Sequence, residues 1–386
     1  MINHLINKII NARHTLCIIL PLTLTLTSCA DPSAGTGVPE FFRDAKVISA
    51  GYNYTSAIKN DGTLWEWGIC YNDRFNDNRP VMLRIPVQIG TDTNWKSVSA
   101  VSCYTVAIKD DGTLWAWGDN SSGQLGNSTT DTKYSPVQVG TDKNWRSVSA
   151  GSDHAVAIKT DGSLWAWGGN ESGQLGNGGS GSGLYESSPV PIGTDFVIVS
   201  AGNCYTIAIK DDGTLWYWGD SHFVDGTATN KTVPTQITFV ANEWVAVSAK
   251  AEHGAAIKSN GTLWEWGYTS GCFLPNPVQV GTENNWKSVS AGWYYTAAIK
   301  TDGTLWTWGR NDRGQLGDGT TTDRSSPVKI GDRWSAVSSN NDECAHTVAI
   351  RGDGVVWSWG GNNAGQLGDG TAIDRPTPNR VILRHR

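Results

Sequence analysis

The chain has 386 residues, a net charge of −6, 20 tryptophans and 7 cysteines. An acidic balance without a basic run of five or more residues excludes a binder of nucleic-acid backbone, which demands clustered Lys and Arg. Length alone would suggest two or three ordinary domains, but the order of the residues argues for one repeated unit.

In chain order, Lys8 and Arg13 make a weakly basic start, and residues 16–26 form an apolar run broken by Pro21. The run is too short to span a membrane, which takes about 20 residues, but it suits the core of a signal peptide. It ends in Leu26-Thr27-Ser28-Cys29, which resembles the bacterial lipobox. The expectation is a lipoprotein signal peptide over 1–28, lipidation at Cys29 and a tether over 29–45. The predicted location is the bacterial cell envelope outside the cytoplasm, or the medium if Cys29 is not lipidated. Removal of 1–28 takes Lys8 and Arg13 and no acid, so the charge moves from −6 to −8. Contact with a membrane is therefore expected through the lipid alone.

From residue 46 a phrase recurs seven times with minor variation: Ser-Ala-Gly, then Ala-Ile-Lys, then Asp-Gly-Thr-Leu-Trp-x-Trp-Gly. The paired tryptophans are Trp65/Trp67, Trp115/Trp117, Trp165/Trp167, Trp216/Trp218, Trp264/Trp266, Trp306/Trp308 and Trp357/Trp359, spaced 42 to 51 residues apart. In one unit, strands are predicted over 97–100, 105–109, 113–117 and 136–139. Asp111-Gly112 forms the hairpin turn, because glycine accepts a positive φ. Four short strands cannot bury both faces, whereas seven such sheets arranged radially cover one another and close into a ring. Alternation puts both tryptophans of a pair on one face, where they are expected to pack between blades. The residue between them varies: Glu66, Ala116, Ala166, Tyr217, Glu265, Thr307 and Ser358.

These units resemble regulator of chromosome condensation repeats. The matching phrases are Ser149-Ala150-Gly151-Ser152-Asp153-His154, Asp161-Gly162-Ser163-Leu164-Trp165-Ala166-Trp167-Gly168 and Gly173-Gln174-Leu175-Gly176. Gly-Gln-Leu-Gly recurs at 123–126, 314–317 and 365–368, and repeats 1, 4 and 5 lack it. The resemblance implies an all-β protein, a seven-bladed β-propeller of four-stranded antiparallel blades over 46–386. How the last strand closes the ring is left open by the repeat phase. Nucleotide exchange on a nuclear small GTPase, the activity for which the family is named, is not expected of an exported acidic chain.

Strand polarity sorts the loops. The turn after Ser-Ala-Gly and the loop after Trp-Gly share one face, where the repeats differ. The Asp-Gly turns and the inter-repeat connections share the other, uniform face. Variable loops on a rigid scaffold are where binding usually resides. One position on the variable face is always aromatic or histidine: Tyr54, Tyr104, His154, Tyr205, His253, Tyr295 and His346. These residues are expected either to stabilise their turns by packing and hydrogen bonding or to form a recognition surface around the channel mouth. The three histidines fall in blades 3, 5 and 7, too far apart for ligands that must lie about 2 Å from zinc. No metal site and no cofactor are expected.

Nineteen of the 20 tryptophans belong to the repeat, fourteen in the pairs and five before the Ser-Val-Ser-Ala strand or its equivalent. The exception is Trp293, beside Tyr294 and Tyr295, which is expected to serve either as a binding anchor or in local packing. The irregular loops 69–80, 177–188, 220–234 and 268–275 are further candidates, the first holding Tyr71, Arg74, Phe75 and Arg79, the third His222 and Phe223. Cys70 and Cys103 should lie on neighbouring blades, a candidate disulfide whose geometry must decide. No nucleophile elbow, phosphate loop or His-Glu-x-x-His is present.

The sequence therefore reads as a monomeric, non-enzymatic, lipid-anchored scaffold that binds a protein, or secondarily a polysaccharide, through its variable face. The alternatives are an enzyme inhibitor, a role known for a propeller of this repeat family, and a lyase or glycan hydrolase with His154, His253 or His346 at the mouth.

Overall fold

Each repeat folds as one antiparallel meander, because its Asp-Gly turn (Asn260-Gly261 in the fifth) and its short alternating strands leave no helical period. The computed structural model describes residues 40–70, 81–222, 224–227, 229–238, 242–269, 272–340 and 343–383. The expectations placed on 1–28, Cys29, loop residues 71–80 and Phe223, and on the side chain of Cys70, lie outside the described residues.

Among the described residues, seven four-stranded sheets occupy 45–88, 95–139, 145–193, 196–236, 244–279, 286–331 and 334–380, here blades 1 to 7. Strands follow chain order within each sheet. The architecture is a seven-bladed β-propeller, as the repeat predicted.

The core consists of the seams between blades. On the seam between blades 2 and 3, Val106, Ile108, Leu114 and Ala116 pack against Trp145, Ala155, Ala157 and Trp167. Equivalent apolar clusters fill every other seam, and the last joins Val348, Ile350 and Val356 of blade 7 to Ala57 and Trp67 of blade 1. The second tryptophan of each pair is thereby buried, at 5% exposure or less in all seven. Gly126 shows why the loop before such a tryptophan needs glycine. Its φ is +70°, and a Cβ there would lie 2.8 Å from the Trp167 ring.

The first tryptophan of each pair has another task. Trp115 donates from its indole nitrogen to Thr113 Oγ1 at 2.9 Å, and Thr113 donates to Asp111 Oδ1 at 2.7 Å. Lys109 lies over the Trp115 ring at 3.8 Å and the Trp95 ring at 4.7 Å. A lysine or arginine makes this cation–π clamp in all seven blades, which explains why Ala-Ile-Lys recurs.

Hydrogen bonds also run round the channel. Ser49 Oγ accepts from the backbone N–H of Ala100 at 2.9 Å. The same bond recurs from Ser99, Ser149, Ser200, Ser248 and Ser290 to the following blade, and Ser338 returns it to Ala50 at 3.0 Å.

Blade 7 completes itself with Arg375–Arg380, so no strand is exchanged across the closure. The chain ends form an extra ribbon instead, Glu40–Phe41 against Ile382–Leu383. The body consequently begins ahead of the expected boundary at 46. Phe42 is fully buried and sits 5.5 Å from Trp65 and 5.6 Å from Trp67, where five other blades place a tryptophan and blade 4 places Phe196.

Candidate binding surface

The seven aromatic and histidine positions are all buried, at 4% exposure or less. Each reaches the next blade. Tyr54 Oη donates to the Tyr104 carbonyl at 2.5 Å, Tyr104 to the His154 carbonyl at 2.5 Å, Tyr205 to that of His253 at 2.8 Å and Tyr295 to that of His346 at 2.7 Å. The histidines pair through Nε2 with Thr206, Thr296 and Thr55 at 3.0, 3.4 and 3.0 Å. Their side chains are therefore committed to the seams, and none presents a ring to solvent. Burial pushes the His346 imidazole down from 6.5 to about 3, so it is neutral near pH 7. Among the described residues no group of three or more His, Cys, Asp or Glu is arranged to hold a metal. Cys103 is exposed on the variable face, and the side chain of Cys70, its candidate partner, lies outside the described residues.

Outside that buried ring, aromatic side chains from three blades meet. Trp293 and Tyr294 occupy the turn of blade 6, Tyr268 and Phe273 the outer hairpin of blade 5, and His222 the loop of blade 4. Trp293 and Tyr294 stack at 5.0 Å and 29°. Tyr294 meets Tyr268 edge to face at 6.0 Å, Tyr268 meets Phe273 at 4.9 Å, and Phe273 stacks on His222 at 5.1 Å. All are partly or fully solvent-accessible. Tyr268, Thr269, Cys272, Phe273 and Tyr294 line a cleft of about 330 Å³.

Backbone bonds fix the turn that carries this strip. The N–H of Trp293 donates to the Asn340 carbonyl of blade 7 at 3.1 Å, and the N–H of Arg310 donates to the Tyr294 carbonyl at 2.8 Å. Tyr294 is held at φ +61°, a conformation that a bulky residue rarely adopts without tertiary support. Asn340, at the head of the seventh-repeat insertion, also donates from Nδ2 to the Tyr52 carbonyl at 3.0 Å. Asn340 therefore links the Trp293 turn to blade 1.

Charge is concentrated at the edge of the strip. Tyr294 Oη donates to Glu252 Oε2 at 3.1 Å. Burial and the Glu252 charge push the Tyr294 phenol up to about 12, so it remains a donor. Burial also raises the Glu252 carboxyl, with Asp220 adding to the shift and Tyr294 opposing it. Arg310 lies over the Trp293 ring at 4.2 Å and pairs with Asp312 at 2.5 Å.

Trp293 and Tyr294 were legible as departures from the repeat. Tyr268, Phe273 and His222 were legible only as members of irregular loops, and Glu252 was missed. Its signal was available, since glutamate directly precedes the ring position in blade 5 alone.

The regulator of chromosome condensation (RCC1) repeat model matches residues 111–158, 161–209, 302–349 and 353–385, and a second model of the same repeat matches 95–124, 145–174 and 286–315. The chain belongs to the regulator of chromosome condensation repeat family. Blades 1 and 5 of this family member lie outside those matches. Its fold is similar to that of human WBSCR16, with TM-score 0.71, 20% identity and coverage of 81% of this chain and 88% of the other. It is also similar to Prp20p of Saccharomyces cerevisiae, with TM-score 0.67, 18% identity and coverage of 79% and 82%. Yeast Prp20 bound to Kap60 gives TM-score 0.70 and 16% identity, covering 94% of this chain and 91% of that one.

Proposed function

We propose that this chain is an exported, lipid-anchored propeller scaffold that binds another macromolecule, a protein before a polysaccharide, through its variable face. The observation that carries the reading is the continuous strip from Trp293 through Tyr294, Tyr268 and Phe273 to His222. Clustered, rigid aromatic side chains are the usual energetic centre of a binding face. A protein partner is in keeping with the fold's relatives, since Prp20p is described with binding properties to Gsp1p and histones and is bound by Kap60. Burial of the three ring histidines favours binding over catalysis at the mouth. Export and anchoring rest on the lipobox-like Leu26-Thr27-Ser28-Cys29.

Cross-linking of the mature protein in its native envelope tests the scaffold role. A defined partner should be recovered with the native chain and lost with Trp293→Ala/Tyr294→Ala, while the far-UV spectrum is retained. Undiminished capture by the double variant would refute the assignment of this face. Globomycin treatment and mass determination of the mature N-terminus test the anchor, and an unmodified Cys29 would remove it.

A further inference from the structure

Resting on the scaffold reading above, we propose that the cleft walled by Tyr268, Phe273 and Tyr294 is a cage for a lysine side chain of the partner protein. Three observations carry this: the angles between the rings, the state of Trp293 and the charge at the rim.

The Tyr268 ring is inclined at 46° to Phe273 and at 69° to Tyr294. A sugar ring or a nucleobase needs an open, flat platform on which to stack. Steeply inclined rings instead turn several π faces and edges on one small volume, the arrangement that receives an alkylammonium group. Trp293 would be the natural platform, but it is already occupied, with the Arg310 guanidinium over its ring at 4.2 Å and Tyr294 stacked against it at 5.0 Å. It backs the cage wall rather than meeting the ligand.

The rim supplies complementary charge. Glu252 holds the Tyr294 hydroxyl at 3.1 Å, and Asp220 lies close enough to Glu252 to raise its carboxyl. Arg310 is engaged with Asp312 at 2.5 Å, and His222 partly offsets the rise of the Glu252 carboxyl. An incoming cation meets the Glu252 and Asp220 carboxyl groups and aromatic faces together. Lysine fits better than arginine, because a compact ammonium can sit among inclined rings whereas a planar guanidinium prefers to lie flat on one.

The test is calorimetric titration of the full mature chain with an octapeptide carrying one central lysine among glycines and serines, beside the same peptide with norleucine. A cellohexaose titration serves as the neutral-sugar arm. The lysine peptide should bind roughly tenfold more tightly than its norleucine counterpart. That preference should fall to about twofold or less in Glu252→Gln and in Tyr268→Leu, the contribution of one weak contact. Glu252→Gln keeps an acceptor for Tyr294, and near-UV circular dichroism checks that the cage persists in both variants. Equal binding of the two peptides, binding of neither, or a preference unchanged in Glu252→Gln overturns the proposal. So does cellohexaose binding more tightly than the lysine peptide. None of these outcomes bears on partner loss in Trp293→Ala/Tyr294→Ala, so the cage and the scaffold reading fail separately.

Discussion

The indole nitrogen of Trp308 donates to both carboxylate oxygens of Glu265, at 3.1 and 3.0 Å, across the seam between blades 5 and 6. Thr296 donates to the same carboxylate, and His253 Nε2 lies 3.4 Å from it. In three of the four blades that carry Gly-Gln-Leu-Gly, the glutamine carbonyl takes this place. Gln124, Gln315 and Gln366 accept from Trp167, Trp359 and Trp67, each at 2.9 Å. Blades 1 and 5 lack the motif and supply a carboxylate from between their tryptophans instead, Glu66 or Glu265. A buried N–H favours a partner, and five of the seven seams supply one of these two acceptors, whereas the indole N–H groups of Trp218 and Trp266 are buried without one.

Glu265→Ala should therefore destabilise the propeller by about 2–5 kcal/mol, because it leaves the buried Trp308 and Thr296 donors without their acceptor at about 1–3 kcal/mol each. Glu265→Gln retains an acceptor and should cost less than half as much. Urea unfolding at pH 7 measures both, and a loss under about 1 kcal/mol for the alanine variant, no more than one ordinary hydrogen bond, would contradict the assignment.

Among the described residues no cation acts on Glu66. Burial pushes its carboxyl from 4.5 up to about 7, with bonds from Ser56, Thr105 and Trp117 opposing the shift. The folded state then holds the proton more tightly than the unfolded chain. Its contribution is full below about pH 4.5 and is lost as pH rises to about 7. The loss amounts to roughly 3 kcal/mol. In Glu66→Gln the fall in stability between pH 5 and pH 7.5 should be reduced by about that amount. Equal pH profiles for the two proteins would rule it out.

His346 has the opposite sign. Its imidazole is depressed from 6.5 to about 3, so the unfolded chain takes up the proton first. Its share of stability is present above about pH 6.5 and is lost as pH falls towards 3. The His346 ring resonances should stay at their neutral positions from pH 8 to 5 in NMR spectra of the folded protein. A midpoint near 6.5 would show that the ring reaches solvent.

Phe42 tests the closure. Phe42→Ala removes a fully buried ring from against Trp65 and Trp67 and should cost about 3–5 kcal/mol. Hydrogen exchange should show the extra opening first in blades 1 and 7. Uniform loss of protection over all seven blades would place the weak seam elsewhere.

Much of the fold was legible because each repeat states its own local chemistry. Asp111-Gly112 marks a hairpin wherever it occurs, and the alternation through Trp115 and Trp117 assigns their face without reference to the rest of the chain. The choice at Glu66 and Glu265 was visible as letters but read as free variation. Its meaning lies on the facing blade, about 40 to 50 residues away. The ring residues failed as a surface for the same reason, since Tyr104 and His346 point into a seam that no single repeat contains.

By itself, then, the sequence determined the unit, its sevenfold count and the packing role of the paired tryptophans, because turn and strand preferences act over a few residues. Only the tertiary structure decided which side chains stay outside. It buried seven aromatic and histidine rings in the seams, brought Glu40–Phe41 to Ile382–Leu383, and gathered Trp293, Tyr294, Tyr268, Phe273 and His222 from three blades into one strip. Ring closure sets those distances, and they are not encoded in any local stretch of chain.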